Sequence, residues 1–217
     1  MHSSVQNLIN IQKNIKSKFD FYQRIKIIAV SKTHSIEQIK PLIDYGHIDF
    51  GENKVQEAIE KWSEVKNENT LIKLHLIGKL QTNKVKYAIK IFDYIHSVDS
   101  EKLAKKISEE QIKNNKNIKI FIQVNIGNEI QKNGINENDL NSFLSTCQNE
   151  LKLNIIGLMC IPPNDDMTDS YFKKLKDLND KYKLKQLSMG MSADYLDAVK
   201  LGSTYVRIGT GIFGQRS

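Results

Sequence analysis

Residues 25–43, IKIIAVSKTHSIEQIKPLI, decide the fold. The run from Ile25 to Val30 is almost wholly apolar, the pattern of a short strand buried on both faces of a parallel sheet. A polar turn follows, and then Ile36, Ile39, Leu42 and Ile43 recur at helical spacing, with Ser35 placed to cap the helix they define. A buried strand that passes through a short loop into an amphipathic helix is one βα unit.

The same alternation repeats along the chain. Further strands are predicted at His47 to Phe50 (ended by Gly51), Leu74 to Ile77 (ended by Gly78), Asp93 to His96, Ile118 to Val124, Asn154 to Met159, Gln186 to Ser188 and Thr204 to Ile208. Helical patterns lie between them: Val55, Ile59 and Trp62; Val85, Ala88 and Ile89; Leu103 and Ile107; Tyr171, Leu175 and Leu178. Eight units in this length predict an α/β fold closed as a (β/α)8 TIM-type barrel, in preference to an open doubly wound sheet. No repeat, linker or low-complexity block divides the chain, so a single domain over residues 1–217 is expected. Val5, Leu8, Ile9, Ile11 and Ile15 predict an extra N-terminal helix that docks on the barrel. The acid-free stretch Met1 to Phe19 also resembles a transit peptide, but it lacks arginine.

Composition bounds the function classes. Hydrophobic residues make up 40% and charged residues 26%, enough apolar content for a packed core. The formal net charge is +7, which would suit a polyanion, yet the lysines alternate with Glu and Asp along amphipathic segments and form no local cluster. No nucleic-acid partner is expected, and an anion- or nucleic-acid-binding barrel stands as a third reading, resting only on the +7 charge and on the phosphate cradle described below. Cys147 and Cys160 form neither a CxxC pair nor a zinc-type cluster, so no metal site or disulfide is expected and a reducing, cytoplasmic setting fits. The apolar runs are far below membrane-spanning length.

Polar residues and glycines recur where the strands end: Lys32, Asn53, Gly78, Ser97 with Asp99, Asn125, Ser188, and Gly209 with Thr210. In a barrel these positions converge on the C-terminal face, where active sites of this fold are built, although caps and turns alone would also place Ser, Asn and Gly there. Two small-residue loops, Met189-Gly190-Met191-Ser192 and Arg207-Ile208-Gly209-Thr210-Gly211, leave the seventh and eighth strands and would lie side by side. Backbone N–H groups with the Ser192 and Thr210 hydroxyls would suit a phosphate. Lys32 faces this cradle. A lysine at the end of a buried strand tends to lose its proton, and a neutral amine adds to an aldehyde; a lysine that stays charged at the rim is the competing reading.

With Ala29-Val30-Ser31-Lys32, Phe50-Gly51-Glu52-Asn53, His75-Leu76-Ile77-Gly78-Lys79-Leu80-Gln81, Gly157-Leu158-Met159, Ser188-Met189-Gly190-Met191-Ser192 with Asp194, Val206-Arg207-Ile208-Gly209-Thr210 and Ile212-Phe213-Gly214, the sequence resembles the pyridoxal phosphate homeostasis protein family from about residue 25 onward. The resemblance implies a barrel like the N-terminal domain of alanine racemases, with pyridoxal 5′-phosphate (PLP) as cofactor. It implies Lys32 as the Schiff-base lysine of an internal aldimine, Ser192, Gly209 and Thr210 at the phosphate, Arg207 at the pyridine nitrogen, and Asn53, His75 and Met159 lining the pocket; Ser188 is counted with the cofactor-binding set. Two departures are visible: Lys79 where the family usually has proline, and Asn in the loop Lys132-Asn133-Gly134 where serine is usual.

The implied role is that of a monomeric carrier or regulator in PLP homeostasis, serving PLP-dependent apoenzymes, with no membrane partner and little or no catalysis. An arginine at the ring nitrogen weakens the electron sink, because it can only donate there. With Ser217 just after the eighth unit, the second domain that supplies alanine racemases with their second base is expected to be missing. The alternative is a PLP-dependent amino-acid racemase or related enzyme with weak activity, for which Tyr195 and His75 are the conceivable second bases.

Overall fold

A computed structural model of the chain describes residues 1–129 and 133–215. The elements run α1 (Ser3–Lys18), β1 (Lys26–Val30), α2 (Ile36–Asp44), β2 (Asp49–Glu52), α3 (Val55–Glu68), β3 (Lys73–Leu76), α4 (Val85–Ile91), β4 (Tyr94–Val98), α5 (Glu101–Lys113), β5 (Lys119–Gln123), α6 (Leu140–Ser145), β6 (Asn154–Met159), α7 (Thr168–Lys181), β7 (Gln186–Ser188), α8 (Tyr195–Lys200), β8 (Tyr205–Ile208) and α9 (Thr210–Phe213). The eight strands pair in parallel, in chain order, and β8 closes onto β1 from Lys26↔Tyr205 to Ala29↔Ile208. This is the (β/α)8 barrel the alternation predicts.

Ser35 caps α2 as expected, in a capping box in which its side chain accepts from the Gln38 N–H and the Gln38 side chain accepts from the Ser35 N–H. The N-terminal helix docks through buried Val5, Leu8, Ile11 and Ile15, and Asn7 on α1 donates to the Ile212 carbonyl of α9 at 3.0 Å. Among the described residues no helix is long and apolar enough to cross a membrane.

The second strand is displaced from its predicted place. It covers Asp49–Glu52 and runs through Gly51 without ending there. A Cβ at position 51 would lie 2.8 Å from Ile28 Cγ2 and 3.2 Å from Ile77 Cδ1, so this glycine makes room inside the barrel and is no turn. β4 also runs beyond its expected end, through Ser97 to Val98, after a register shift against β5. Gly157 serves close packing: a Cβ there would lie 1.9 Å from the Gln186 carbonyl oxygen of the neighbouring β7.

The apolar residues separate into two cores. The larger fills the space between the barrel wall and the helices. The smaller lies within the barrel and comprises Ile28, Tyr94, Phe121, Met159 and Tyr205. Such a packed interior leaves the strand ends as the places where chemistry can occur.

Candidate functional site

At the C-terminal end of β1 the chain turns sharply. Thr33 has φ of +67°, a left-handed conformation that a β-branched residue adopts only when its surroundings hold it there. Its N–H donates to Glu57 Oε1 on α3. Lys61 on the same helix donates to Glu57 Oε1, Glu52 Oε1 and the Ser31 carbonyl, each at 2.9 Å. Glu52 Oε1 also accepts from Ser31 Oγ at 2.8 Å and from Trp62 Nε1 at 2.9 Å. The residues on both sides of Lys32 are thus clamped from behind, while Lys32 itself is half-buried at the rim.

The other half of the site comes from β7 and β8. Gly211 N–H donates to Ser192 Oγ at 3.1 Å, so the two loops predicted to lie side by side are directly joined. Gly190 supports this with φ of +90° and Ala198 packed where a Cβ would go, and its carbonyl accepts from Arg207 N–H at 3.0 Å. A Cβ built on Gly209 would lie 3.5 Å from Val30 Cβ, which sets this loop against the last residue of β1, two positions before Lys32. Asn53 reaches the same rim: its carbonyl would lie 2.3 Å from a Cβ on Gly78. Ser192 and Gly209 are half-buried and Thr210 is exposed, so the cradle opens to solvent.

Arg207 is 4% exposed and held at two atoms, Nη1 donating to Ser188 Oγ at 2.7 Å and Nη2 to the Cys160 carbonyl at 2.8 Å. His75 and Met159, expected to line the pocket, are both buried in the barrel interior. Met159 is fully buried among Ile28, Tyr94, Phe121 and Tyr205 inside the barrel. His75 is fully buried as well, bonded to Asp49 Oδ1 at 2.9 Å and to His96 at 3.1 Å. Both lie on strands, His75 within β3 and Met159 at the end of β6, whose inward-facing residues pack the interior layers beneath the rim. Ser188 is also buried, linked to Arg207 and to His96. Tyr195, the other conceivable base, accepts from Asn14 Nδ2 of α1 at 3.4 Å, on the outside of the barrel wall.

Sequence reading missed the Glu52–Lys61–Glu57–Trp62 cluster and His96. An acidic residue ending a strand that is buried on both faces was the available signal for Glu52, because such a carboxylate needs partners on the helix that covers it. The two departures from the family pattern meet in space: Lys79 Nζ donates to Asn133 Oδ1 at 2.7 Å. Lys132 of that loop lies outside the described residues. Substituting Lys79→Pro and Asn133→Ser together is expected to cost less than the sum of the single changes, by about 0.5 kcal/mol for a pair this exposed. A double-mutant cycle from urea unfolding measures this, and strict additivity would show that the pair is uncoupled.

The two cysteines are buried and chemically quiet. Burial pushes both thiols up to about 12, with Glu101 adding to the effect at Cys147. Cys160, the residue after β6, serves through its carbonyl as a rest for Arg207.

Comparison with known proteins agrees with this geometry. Residues 6–217 match the family model described as alanine racemase, N-terminal domain. The pyridoxal phosphate homeostasis protein of Pasteurella multocida is 38% identical over 225 residues, covering 97% of each chain, and that of Aquifex aeolicus is 38% identical over 200 residues, covering 88% of this chain and 87% of the other. Among solved structures, PipY of Synechococcus elongatus with PLP bound superposes with a TM-score of 0.86 at 32% identity, over 97% of this chain and all of that one. Alanine racemase of Clostridium difficile shares the fold at 20% identity, with a TM-score of 0.73 over 99% of this chain and 57% of that one. The chain therefore belongs to the pyridoxal phosphate homeostasis protein family, on the alanine racemase N-terminal domain fold.

Proposed function

We propose that this protein binds pyridoxal 5′-phosphate at the C-terminal rim with Lys32 as its Schiff-base lysine, and that it acts in PLP homeostasis as a carrier or regulator with little or no catalysis. One observation carries the reading. Lys32 follows β1 just before the strained Thr33, and the end of that strand, at Val30, packs against the Gly209 loop that is joined to the β7 loop, in a chain 32% identical to a protein solved with PLP bound.

The donor set fits such a cofactor. A phosphate monoester needs hydroxyls and backbone N–H groups, and Ser192, Gly209 and Thr210 supply them at an open loop. An aldehyde needs an amine, which Lys32 provides. Asn53 completes the rim, with His75, Met159 and Ser188 supporting from below. When bound, the cofactor supplies an electrophilic carbon and an electron-withdrawing ring. Arg207 is anchored on Ser188 and Cys160, and a guanidinium keeps its protons, so toward a ring nitrogen it donates a hydrogen bond and delivers no proton.

Two observations support low turnover. His75 is locked between Asp49 and His96, and the Tyr195 hydroxyl is turned to α1, so both residues named as second bases are engaged away from the rim. On this reading residues 1–217 form one monomeric unit in the cytoplasm that passes PLP to PLP-dependent apoenzymes.

The test is the absorbance spectrum of the purified protein with added PLP, before and after borohydride reduction, followed by peptide mapping. An imine band and a pyridoxyl mass fixed on Lys32 are expected. A label elsewhere, or no band, would remove the assignment. Incubation with alanine and other common amino acids in deuterium oxide, read by NMR at the α-carbon, is expected to show no sustained exchange; steady exchange would make the protein a racemase-type enzyme.

A further inference from the structure

A chain of hydrogen bonds crosses the barrel interior below the rim. It starts at Asp49, the first residue of β2, and passes to His75 on β3 (2.9 Å), His96 on β4 (3.1 Å), Ser188 on β7 (2.9 Å) and Arg207 on β8 (2.7 Å). His75, His96 and Ser188 are fully buried, whereas the Asp49 side chain is 11% exposed and lines a cavity of about 490 Å³ that also touches Lys26, His47 and α1. The imidazoles cannot turn freely. His75 stacks on Tyr94 with centroids 4.1 Å apart, and His96 stacks on Phe121 at 4.3 Å.

The chemistry of the two ends orders every proton between them. The Asp49 carboxylate only accepts, so His75 donates to it from Nε2. A neutral His75 then accepts at Nδ1, which makes His96 donate from Nε2 and accept at Nδ1. The hydrogen on Ser188 must fill that last position, and Ser188 Oγ is left to accept from Arg207 Nη1. Burial holds both imidazoles below the usual histidine range, His96 the more strongly, which agrees with neutral rings. At Asp49 burial raises the carboxyl, while the hydrogen bond from His75 and the nearby Lys26 ammonium act against it, and the group lies below the usual range.

We propose that Asp49, His75, His96 and Ser188 are positioning residues for Arg207, forming one directional chain in which every donor points from the guanidinium toward the carboxylate. Hydrogen bonds aligned in one sense polarise one another, so the guanidinium is fixed by a residue at the opposite end of the barrel interior as well as by its immediate neighbour. Its consequence for cofactor binding rests on the proposed PLP site; the proton order does not.

The experiment uses protein labelled with ¹⁵N-histidine, free of cofactor, and long-range ¹H–¹⁵N spectra at pH 7.5, with His75→Asn and His96→Asn variants to assign signals. Both residues are expected as neutral Nε2–H tautomers. An imidazolium or an Nδ1–H form at either one overturns the chain. Ser188→Ala is then expected to move the His75 nitrogens, two links away; an unmoved His75 shows that the links are independent and also overturns it. With PLP added, Ser188→Ala and Asp49→Leu are each expected to raise the dissociation constant about tenfold, the effect of one lost charge-assisted hydrogen bond. Tautomers as expected in a protein that forms no complex with PLP would sink the functional reading and leave the chain standing. Normal PLP affinity in both variants would sink the positioning role.

Discussion

Lys32→Ala is expected to abolish the imine band and the borohydride-fixed pyridoxyl mass completely, because alanine has no amine to add to an aldehyde. The fold should survive. Lys32 is half-buried on a turn whose geometry is held by its neighbours, with Lys61 on the Ser31 carbonyl and Glu57 on the Thr33 N–H. Substitution at such a position should change stability by no more than about 1 kcal/mol. Some PLP should still associate through the phosphate loops, detectable by equilibrium dialysis as weaker binding that borohydride does not fix. A retained band would assign the imine to another lysine. A collapsed fold would show that Lys32 holds the rim together, so thermal unfolding should accompany the spectrum.

Glu52→Ala should have the largest effect on stability. Glu52 Oε1 gathers Ser31 Oγ, Lys61 Nζ and Trp62 Nε1, and the Lys61 side chain is only 9% exposed. Removing the carboxylate leaves a buried ammonium with half its pairing and a buried indole N–H with nothing to bond. Breaking one partner of a buried ion pair costs about 3–5 kcal/mol, and for a chain of this size that corresponds to a fall in Tm of roughly 10 °C. Glu52→Gln should cost less, since an amide oxygen still accepts and Glu57 still pairs with Lys61. Circular dichroism melting decides it: a shift below about 2 °C for the alanine variant would mean that the clamp contributes little to the fold. A large shift would also slacken the Ser31–Thr33 turn, and the imine band of the surviving folded protein should weaken with it.

The departures at Lys79 and Asn133 show how a sequence comparison can mislead when positions are taken singly. Each is separate in the sequence, and each casts doubt on the shape of its own loop. In the fold they bond to each other, so each supplies the partner the other needs.

Much of this protein is legible in its sequence. Eight short apolar runs separated by helical patterns specify parallel strands with covering helices, because a strand buried on both faces and a helix buried on one impose different periods on the chain. The rim was legible for the same reason: polar residues and glycines directly after such strands mark one end of a closed sheet, which places Lys32, Asn53, Ser192, Gly209 and Thr210 together. Gly51 was misread, since a glycine that ends a strand and one that makes room for Ile28 leave the same mark in sequence.

The tertiary structure alone decided what stands behind and beneath the rim. Asp49, His75, His96, Ser188 and Arg207 come from five strands, and Glu52, Lys61 and Thr33 from three different segments, so neither set has a local spacing that sequence could display. Periodicity states which face of an element is buried. Which buried polar group meets which other depends on the register and closure of the barrel, and those are fixed only when all eight strands have paired.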